Sequence, residues 1–273
     1  MPTIPPEPVS PPAREPHQAR QIAESFGLQA QRYDRARPRY PDAMVEAIVA
    51  ASPGPDLLDV GCGTGIAARQ FQAAGCRVLG VEPDPRMAQL ARDFGVTVEE
   101  GKFEDWDPTG RTFDTVIAAQ AWHWVDPVAG VAQAARVLRP GGRLAVFWNA
   151  FETAPEVAEA LSAVFARVLP DSPVRISMVG PDSYSAFCVK TAEELRKVGG
   201  FDDSQEWRFG WDRVYTRDEW LDQIPTSGGH SQIPPAKQEE LLSGTGAAID
   251  ELGGSFTVNY TAVVLTAARA QTD

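Results

Sequence analysis

Residues 57–65 read L-L-D-V-G-C-G-T-G, a short apolar run with an acidic residue that leads into three alternating glycines. Glycine permits backbone torsions and a close ligand approach that a Cβ atom would block. The helix-forming residues Ile66 to Arg69 follow directly, so the stretch predicts a strand, a tight turn and a helix. In doubly wound α/β folds such a unit binds a cofactor beyond the carboxyl end of the strand.

A carboxylate stands about 20 positions after the glycines, where a ribose-binding acid is expected. Glu82 follows the β-rich run Arg77–Val81, so it lies at the tip of the second predicted strand. A carboxylate at that point can accept hydrogen bonds from both hydroxyls of a ribose, and such charge-assisted bonds are the stronger kind. The spacing therefore predicts that Glu82 binds the ribose of a cofactor.

The loop after the fourth predicted strand, Gln120-Ala121-Trp122-His123-Trp124, is the third candidate for chemistry. In an α/β sheet this loop lies beside the glycine loop, close to the reactive part of a ligand. The faces of the two tryptophan rings can attract a cation. His123 has three open interpretations: a general base, a hydrogen-bonded residue that shapes the loop, or neither. No histidines and acids have the spacing of metal ligands, so we predict no metal site.

The glycine spacing distinguishes two classes of cofactor. A dinucleotide fingerprint, G-x-G-x-x-G/A, needs a small residue at position 66, which is Ile66. The observed D-x-G-x-G-x-G instead resembles the first motif of the class I S-adenosylmethionine (SAM)-dependent methyltransferases. Residues 138–144, L-R-P-G-G-R-L, resemble the third motif of that family, and the order and spacing of motifs agree over residues 57–149. The chain is most similar to the methyltransferase type 11 and trans-aconitate methyltransferase-like branch, which acts on small molecules.

The resemblance implies a set of cofactor-binding residues. Residues 101–106, G-K-F-E-D-W, depart from the family pattern G-D-A-E-x-L, because Lys102 replaces the acid that contacts the adenine amino group. Lysine has no acceptor, so backbone, Glu104 or stacking on Phe103 must hold the adenine. The predicted cofactor-binding residues are Asp59, Gly61, Cys62, Gly63, Gly65, Glu82, Phe103, Glu104, Gln120, Ala121 and Tyr33.

Residues 33–41, Y-D-R-A-R-P-R-Y-P, resemble a Y-x-x-x-R-P-x-Y-P segment that family members fold over the cofactor pocket. Pro38 and Pro41 keep this stretch out of a helix, and a purely structural capping turn is the alternative interpretation. The predicted acceptor-facing residues are Arg39, Tyr40, Trp122 and Trp124. A carboxylate acceptor could pair with Arg39 and needs no base, whereas a phenol or carbon acceptor would need one, for which His123 is the candidate.

These residues meet only if several strands end at one edge of a sheet. The resemblance implies a Rossmann-like, doubly wound α/β fold with seven strands in the order 3-2-1-4-5-7-6, the last strand antiparallel, and helices on both faces. The strands are expected at residues 56–60, 76–82, 96–100, 112–118, 144–148, 201–211 and 256–266. Helices are expected at 17–32, 42–51, 64–74, 85–94, 127–137, 154–169, 191–199, 216–224 and 235–252, with a T-A-E-E capping box at Thr191.

The predicted organisation is one methyltransferase domain over residues 17–273, behind a Pro-rich tail at residues 1–16 that we expect to be disordered or polyproline II-like. Within the domain, residues 17–40 form a lid segment and residues 41–150 the core. The core is followed by an insertion at about 151–200 that carries acceptor specificity.

Charge and cysteine usage narrow the class of partner. The 273-residue chain has a net charge of −12 and a pI near 4.8, which argues against nucleic acid as a partner because that needs a basic face. Three widely spaced cysteines, odd in number, indicate reduced thiols and a cytoplasmic protein. We find no signal peptide and no apolar run long enough to span a membrane. The oligomeric state is open between monomer and homodimer.

We therefore expect a SAM-dependent methyltransferase, with S-adenosylhomocysteine (SAH) as product, acting on the oxygen or carboxylate of a small molecule. One alternative is a protein or RNA methyltransferase, which the acidic charge and the absence of an N-P-P-Y-like or Cys-based motif disfavour. Another is a SAM-binding protein without turnover.

Overall fold

One seven-stranded sheet organises the computed structural model, which describes His17 and residues 26–170 and 184–271. The strands are β1 Asp56–Val60, β2 Arg77–Glu82, β3 Thr97–Glu100, β4 Phe113–Ala119, β5 Leu138–Thr153, β6 Gln205–Thr216 and β7 Ser255–Ala268. Their order is β3-β2-β1-β4-β5-β7-β6. Strands β1 to β5 pair in parallel, and β7 runs antiparallel to both β5 and β6. The predicted fold class, strand order and antiparallel last strand are confirmed.

Helices cover both faces of this sheet. They are α1 Ala30–Ala36, α2 Asp42–Ala50, α3 Ile66–Ala73, α4 Pro85–Asp93, α5 Pro127–Val137, α6 Pro155–Val168, α7 Ser185–Val198, α8 Arg217–Gln223 and α9 Pro235–Glu251. Leu57 packs with α2 and α3 on one face, and Leu58 packs with α5 and α7 on the other. A central parallel strand is buried on both faces, which explains the continuous apolar run in β1.

Side-chain caps begin several helices where the sequence predicts them. The Asp84 carboxylate accepts from the backbone N–H of Arg86 at 2.8 Å and starts α4. Asp126 caps α5 in the same way, with a proline in the first turn. Thr216 and Glu219 form a reciprocal capping box at the start of α8.

A second capping box, predicted at Thr191, is wrong. Thr191 lies in the middle of α7, and its hydroxyl donates to the Phe187 carbonyl oxygen at 2.8 Å, one turn back. Phe187 and Cys188 pack into the core before that point, so burial of the preceding turn extends the helix through the local start signal. Residues 171–183 of the predicted loop, and the Pro-rich tail at 1–16, lie outside the described residues.

Strands β5 and β6 are longer than predicted or shifted. β5 begins at Leu138 and continues to Thr153, and β6 runs over Gln205–Thr216 instead of 201–211. Both changes follow from β7, which pairs with β5 as far as Thr153↔Val258 and with β6 as far as Thr216↔Ser255. Long-range antiparallel pairing therefore sets these boundaries, and a local pattern does not contain that information.

The N-terminal segment, residues 26–40, crosses the carboxyl edge of the sheet. A 3₁₀ turn, Phe26–Gln29, leads into α1, and the chain is extended only after Arg37. The predicted end of the first helix at residue 32 and the predicted non-helical stretch from residue 33 are therefore wrong, because Pro38 excludes helix only from the residue before it. Asp34 accepts hydrogen bonds from Thr64 at 2.8 Å and from Arg69 at 2.6 Å. On the other side of α1, Arg35 makes a bidentate ion pair with Asp222 of α8, with distances of 2.8 and 3.0 Å. The segment is thus bonded to the glycine loop and to α8.

Candidate functional site

A cleft with two adjoining lobes lies at the carboxyl ends of β1, β2 and β4, under the N-terminal segment. This is the point where the strand order reverses, which is where α/β sheets bind ligands. The first lobe is lined by Glu82, Met87, Lys102, Phe103, Glu104 and Ala121. The second lobe is lined by Arg37, Tyr40, Cys62, His123, Asn149 and Tyr184. Phe26, Tyr33, Gly61, Gly63, Gln120 and Trp124 line both lobes. The first lobe contains about 880 Å³ of empty space, which includes the open solvent at its mouth.

Glycine is required in the loop between β1 and α3. Gly61 has φ +64°, and a Cβ atom on it would lie 2.7 Å from the Cβ of Ala121. The glycine loop and the loop after β4 can therefore approach each other only without a side chain at this position. Gly63, with φ +57°, donates its N–H to Glu82 Oε2 at 2.8 Å. Gly65 ends the loop as the left-handed residue before α3.

Glu82 ends β2 with a buried carboxylate that faces the first lobe. Its Oε1 accepts from the Asp84 N–H at 2.9 Å, and its Oε2 accepts from Gly63. Each oxygen has a second acceptor position, so the carboxylate can still take two hydroxyl donors. Burial, reinforced by the charge of Asp84, raises the pKa of Glu82 to about 7.

Asp59 is fully buried and lies beneath the glycine loop, outside the residues that line the two lobes. In the described part of the chain neither of its carboxylate oxygens has a hydrogen bond of normal geometry. Burial, together with the nearby charge of Glu82, raises the pKa of Asp59 well above its usual range. The structure therefore does not bring Asp59, which was predicted to bind the cofactor, to either lobe.

The far side of the first lobe carries the residues predicted for adenine. Phe103 is buried there, and Met87, which the sequence pattern did not nominate, lines the same wall. Glu104 Oε1 accepts from the Asp126 N–H at 2.7 Å, so this carboxylate also fixes the loop that leads into α5. Lys102 is exposed at the rim.

Gln120 is the strained residue of the cleft. Its φ of +55° is unusual for a residue with a side chain, and its backbone N–H donates to the Phe147 carbonyl oxygen at 2.9 Å. Such conformations cluster at ligand sites. Of the two tryptophans that follow, Trp124 lines both lobes. Trp122 is buried in the core, 6.3 Å from the Phe103 ring centroid, so the structure does not bring it to either lobe.

His123 lies in the wall of the second lobe with one ring nitrogen already engaged. Its Nδ1 accepts from the indole N–H of Trp148 at 3.1 Å, and its ring stacks on Phe187 with centroids 5.3 Å apart. Burial lowers the pKa of His123 to about 4. The ring is therefore neutral at physiological pH, and the proton that it keeps is on Nε2.

The arginine of the second lobe is Arg37 and not Arg39. The Arg37 guanidinium lies 5.0 Å from the Tyr33 ring centroid, donates to the Thr226 carbonyl oxygen and keeps a buried Nε with no partner among the described residues. Arg39 is exposed and meets the site through its carbonyl oxygen, which accepts from Asn149 at 3.2 Å. The pattern Y-x-x-x-R-P-x-Y-P could have found Arg37, because the residue before its first proline is that arginine.

Tyr40 and Asn149 complete the second lobe. Tyr40 is buried edge-on against Phe147, 4.8 Å between centroids, and burial raises the pKa of its hydroxyl well above the usual range. The Asn149 Oδ1 is buried and has no partner among the described residues. The described residues therefore leave this buried acceptor unsatisfied.

The described residues (His17, 26–170 and 184–271) contain neither a metal-binding cluster nor a membrane-spanning helix. No three histidines, cysteines or acids come together as a metal site would require. None of the helices combines the length and the apolar character needed to cross a bilayer.

The sheet order and the glycine-lined cleft define a class I methyltransferase fold, and comparison with known proteins agrees. A family model described as "Methyltransferase domain" matches residues 58–146. An uncharacterized methyltransferase of Mycobacterium tuberculosis is 34% identical over 168 residues, which cover 61% of this chain and 68% of that protein. A demethylmenaquinone methyltransferase of Tropheryma whipplei is 33% identical over 109 residues, 36% of this chain and 44% of that protein. A solved structure from Anaeromyxobacter dehalogenans, assigned as a type II methyltransferase, has the same fold with a TM-score of 0.64 and 23% identity, covering 86% of this chain and 99% of that chain. The chain belongs to the class I SAM-dependent methyltransferase family.

Proposed function

We propose that this protein binds SAM in the first lobe and transfers its methyl group to the oxygen or carboxylate of a small molecule in the second. The observation that carries the proposal is the wall that the lobes share, because Gln120 and Trp124 line both. A ligand in the first lobe and a ligand in the second lobe would meet at this wall. The N-terminal segment covers this junction with Phe26 and Tyr33, which favours a small acceptor over a macromolecule.

The residues of the cleft fit SAM. Glu82 keeps two acceptor positions for ribose hydroxyls, and the space above Gly61 admits a ligand because no Cβ atom fills it. The ring face of Trp124 suits a sulfonium, since aromatic faces attract cations. Arg37 lines the second lobe, and its guanidinium suits a carboxylate.

When bound, SAM supplies an electrophilic methyl group. The protein then has mainly to align the acceptor and keep water out, and alignment alone can lower a barrier by about 7–11 kcal/mol. Gln120 and Trp124 stand where the two ligands meet, and Tyr40, Asn149 and Tyr184 orient the acceptor. His123 lines the second lobe and keeps its Nε2 proton, so its free ring nitrogen can act only as a hydrogen-bond donor.

The neutral state of His123 limits which chemical class of methyl acceptor the site can use. The pKa of His123 is about 4, and the lone pair of its Nδ1 already accepts the hydrogen bond from Trp148. Such a residue cannot take up a proton efficiently near neutral pH. An acceptor that arrives ionised, such as a carboxylate, needs no base. These points favour positioning over general-base catalysis for His123.

We expect the imidazole of His123 to remain neutral from pH 8 down to about pH 5. The reason is its burial and its hydrogen bond from Trp148. The chain has three histidines, so His123→Gln assigns the signal in an NMR titration of the ring protons. A midpoint near the ordinary value of about 6.5 would contradict this prediction and reopen the role of general base.

We expect the affinity for SAH to be about tenfold higher at pH 8 than at pH 6. Hydroxyl donors favour the ionised form of Glu82, and a group with pKa near 7 is mostly protonated at pH 6. Burial keeps His123 neutral over this range, and the pKa of Asp84 is lowered by Arg86, so neither group mimics the effect. Calorimetric titration at both pH values measures it, and Glu82→Gln should remove the dependence.

The raised pKa of Glu82 also determines how the stability of the ligand-free protein changes with pH. The folded state holds a proton on Glu82 at pH values where the unfolded chain, with pKa about 4.5, has lost it. The stability that this proton contributes is fully present below about pH 4.5 and is lost as the pH rises through 7. Ligand hydroxyls at Glu82 oppose that loss.

Calorimetric titration with SAM and SAH tests the cofactor, and SAH release from a panel of small acids and phenols tests the acceptor. The demethylmenaquinone methyltransferase relative makes demethylmenaquinone the second candidate acceptor. Cofactor binding with no turnover on any panel member would favour a SAM-binding protein. Salt-sensitive RNA binding would favour a macromolecular acceptor. The cytoplasmic location remains a prediction from the cysteine pattern.

A further inference from the structure

Strand β6, the outermost strand of the sheet, presents a long open edge. It pairs with β7 on one side in unbroken register from Gln205 to Thr216, and no described strand pairs with its other side. The strand contains no proline. Long regular edges of this kind are templates for pairing with another chain, and proteins usually shorten or distort them.

The sequence of β6, Q-E-W-R-F-G-W-D-R-V-Y-T, is complementary to itself about Gly210. In an antiparallel pair with Gly210 opposite its own copy, Arg208 lies opposite Asp212 of the second chain. On the other face, Phe209 lies opposite Trp211 and Trp207 lies opposite Arg213. Opposite charges, two aromatic rings, and a cation over an aromatic ring are favourable cross-strand pairs.

The neighbouring registers lose this complementarity. Moving the two-fold axis to residue 209 places Glu206 opposite Asp212, which are like charges. Moving it to residue 211 places Arg208 opposite Val214, so the ion pair is lost. Charge therefore selects the register centred on Gly210.

The side chains concerned are accessible in the single chain. Trp207, Phe209 and Trp211 are each half-buried on one face, and Arg208 and Asp212 are exposed on the other. Arg208 pairs with Glu206 of its own strand at 2.7 Å, and Asp212 accepts from Asn259 at 2.8 Å. Both contacts are exposed, and exposed contacts of this kind contribute little to stability.

We propose that two copies of this chain form a homodimer by antiparallel pairing of their β6 strands about Gly210. The contact is isologous, as two-fold dimers require, and it would continue the sheet from seven strands to fourteen across the axis. Residues 205–215 of both chains would form roughly ten to twelve backbone hydrogen bonds, two for every second residue pair. The half-buried aromatic side chains of the two strands would become one continuous patch.

Charge reversal tests the register. We expect a dimer in sedimentation velocity, a dissociation constant raised roughly tenfold or more by Arg208→Asp or by Asp212→Arg, and recovery in the double variant, which restores opposite charges. Glu239→Arg, an exposed charge reversal on α9, should leave the dimer unchanged. Circular dichroism reports that each variant is folded. A monomeric wild-type protein at micromolar concentration would overturn the proposal, as would a dimer that ignores both reversals.

A disulfide across the axis gives an independent readout. A Cβ atom on Gly210 meets nothing within 4 Å, so Gly210→Cys is accommodated. The two Cα atoms would lie about 4.5–5.5 Å apart, within the range for a disulfide. In a Cys76→Ser background we expect Gly210→Cys to cross-link on mild oxidation. Asp212→Cys, whose copies would be about 14 Å apart in this register, should not. Cross-linking at 212 and not at 210 would show a different register and overturn the proposal.

Discussion

Glu82→Ala is expected to weaken SAH binding by about 1–3 kcal/mol, or roughly 5- to 150-fold. The substitution removes the proposed charged acceptor for two ribose hydroxyls and leaves the N–H groups of Gly63 and Asp84 without their partner. Because Gly63 belongs to the glycine loop, part of the loss should come from a less ordered loop. Calorimetric titration at pH 8, where the wild-type carboxyl is ionised, gives the full effect.

The matched control is Glu100→Ala. Glu100 is the register partner of Glu82 on β3, but it is half exposed and pairs with Arg92 at 2.8 Å. The Glu100→Ala substitution should have no effect on SAH affinity. Equal affinity for SAH in Glu82→Ala and the wild type would remove the ribose assignment and with it the proposed orientation of the cofactor.

Arg37→Met should weaken binding of a carboxylate ligand by about 10- to 100-fold. The guanidinium is the cationic group among the described residues that line the second lobe, and its Nε has no partner there. A hydrogen bond to a charged group contributes about 1.5–3 kcal/mol. Methionine keeps most of the apolar volume next to Tyr33, so the change tests the charge and not the packing.

Two measurements identify which carboxylate Arg37 holds. A loss confined to SAM and SAH affinity assigns it to the amino-acid end of the cofactor, and a rise confined to the acceptor KM assigns it to the acceptor. Arg39→Met is the control from the same segment, because its side chain is exposed and reaches neither lobe. A larger effect at Arg39 than at Arg37 would contradict the proposed arrangement.

The sequence predicts this fold well where local physics and long-range packing agree. The alternation of buried apolar strands with capped helices places β1 and β2, and the caps at Asp84 and Asp126, close to their observed positions. It fails at Thr191, whose T-A-E-E pattern is as good a local start signal as the T-R-D-E at Thr216. Burial of the residues before Thr191 decides the outcome, and a capping pattern contains no information on burial.

The sequence also predicts part of the candidate site, namely the positions that motif spacing determines. The backbone-driven positions Gly61, Gly63 and Glu82 line the cleft as the motif spacing requires. Arg37 is the arginine of the Y-x-x-x-R-P-x-Y-P pattern, so the sequence contained the signal that distinguishes it from Arg39. The left-handed backbone of Gln120 has no sequence signature, because tertiary bonds to β5 impose it.

Helix α1 is bonded to two different parts of the protein. Asp34 bonds to Thr64 of the glycine loop and to Arg69 of α3, and Arg35 bonds to Asp222 on α8. Tyr33 of the same helix lines both lobes of the cleft, so a shift of this short helix would change the lining of both lobes together. Any coupling free energy between the two ligands is reciprocal: the factor by which the acceptor tightens SAM binding is the factor by which SAM tightens acceptor binding.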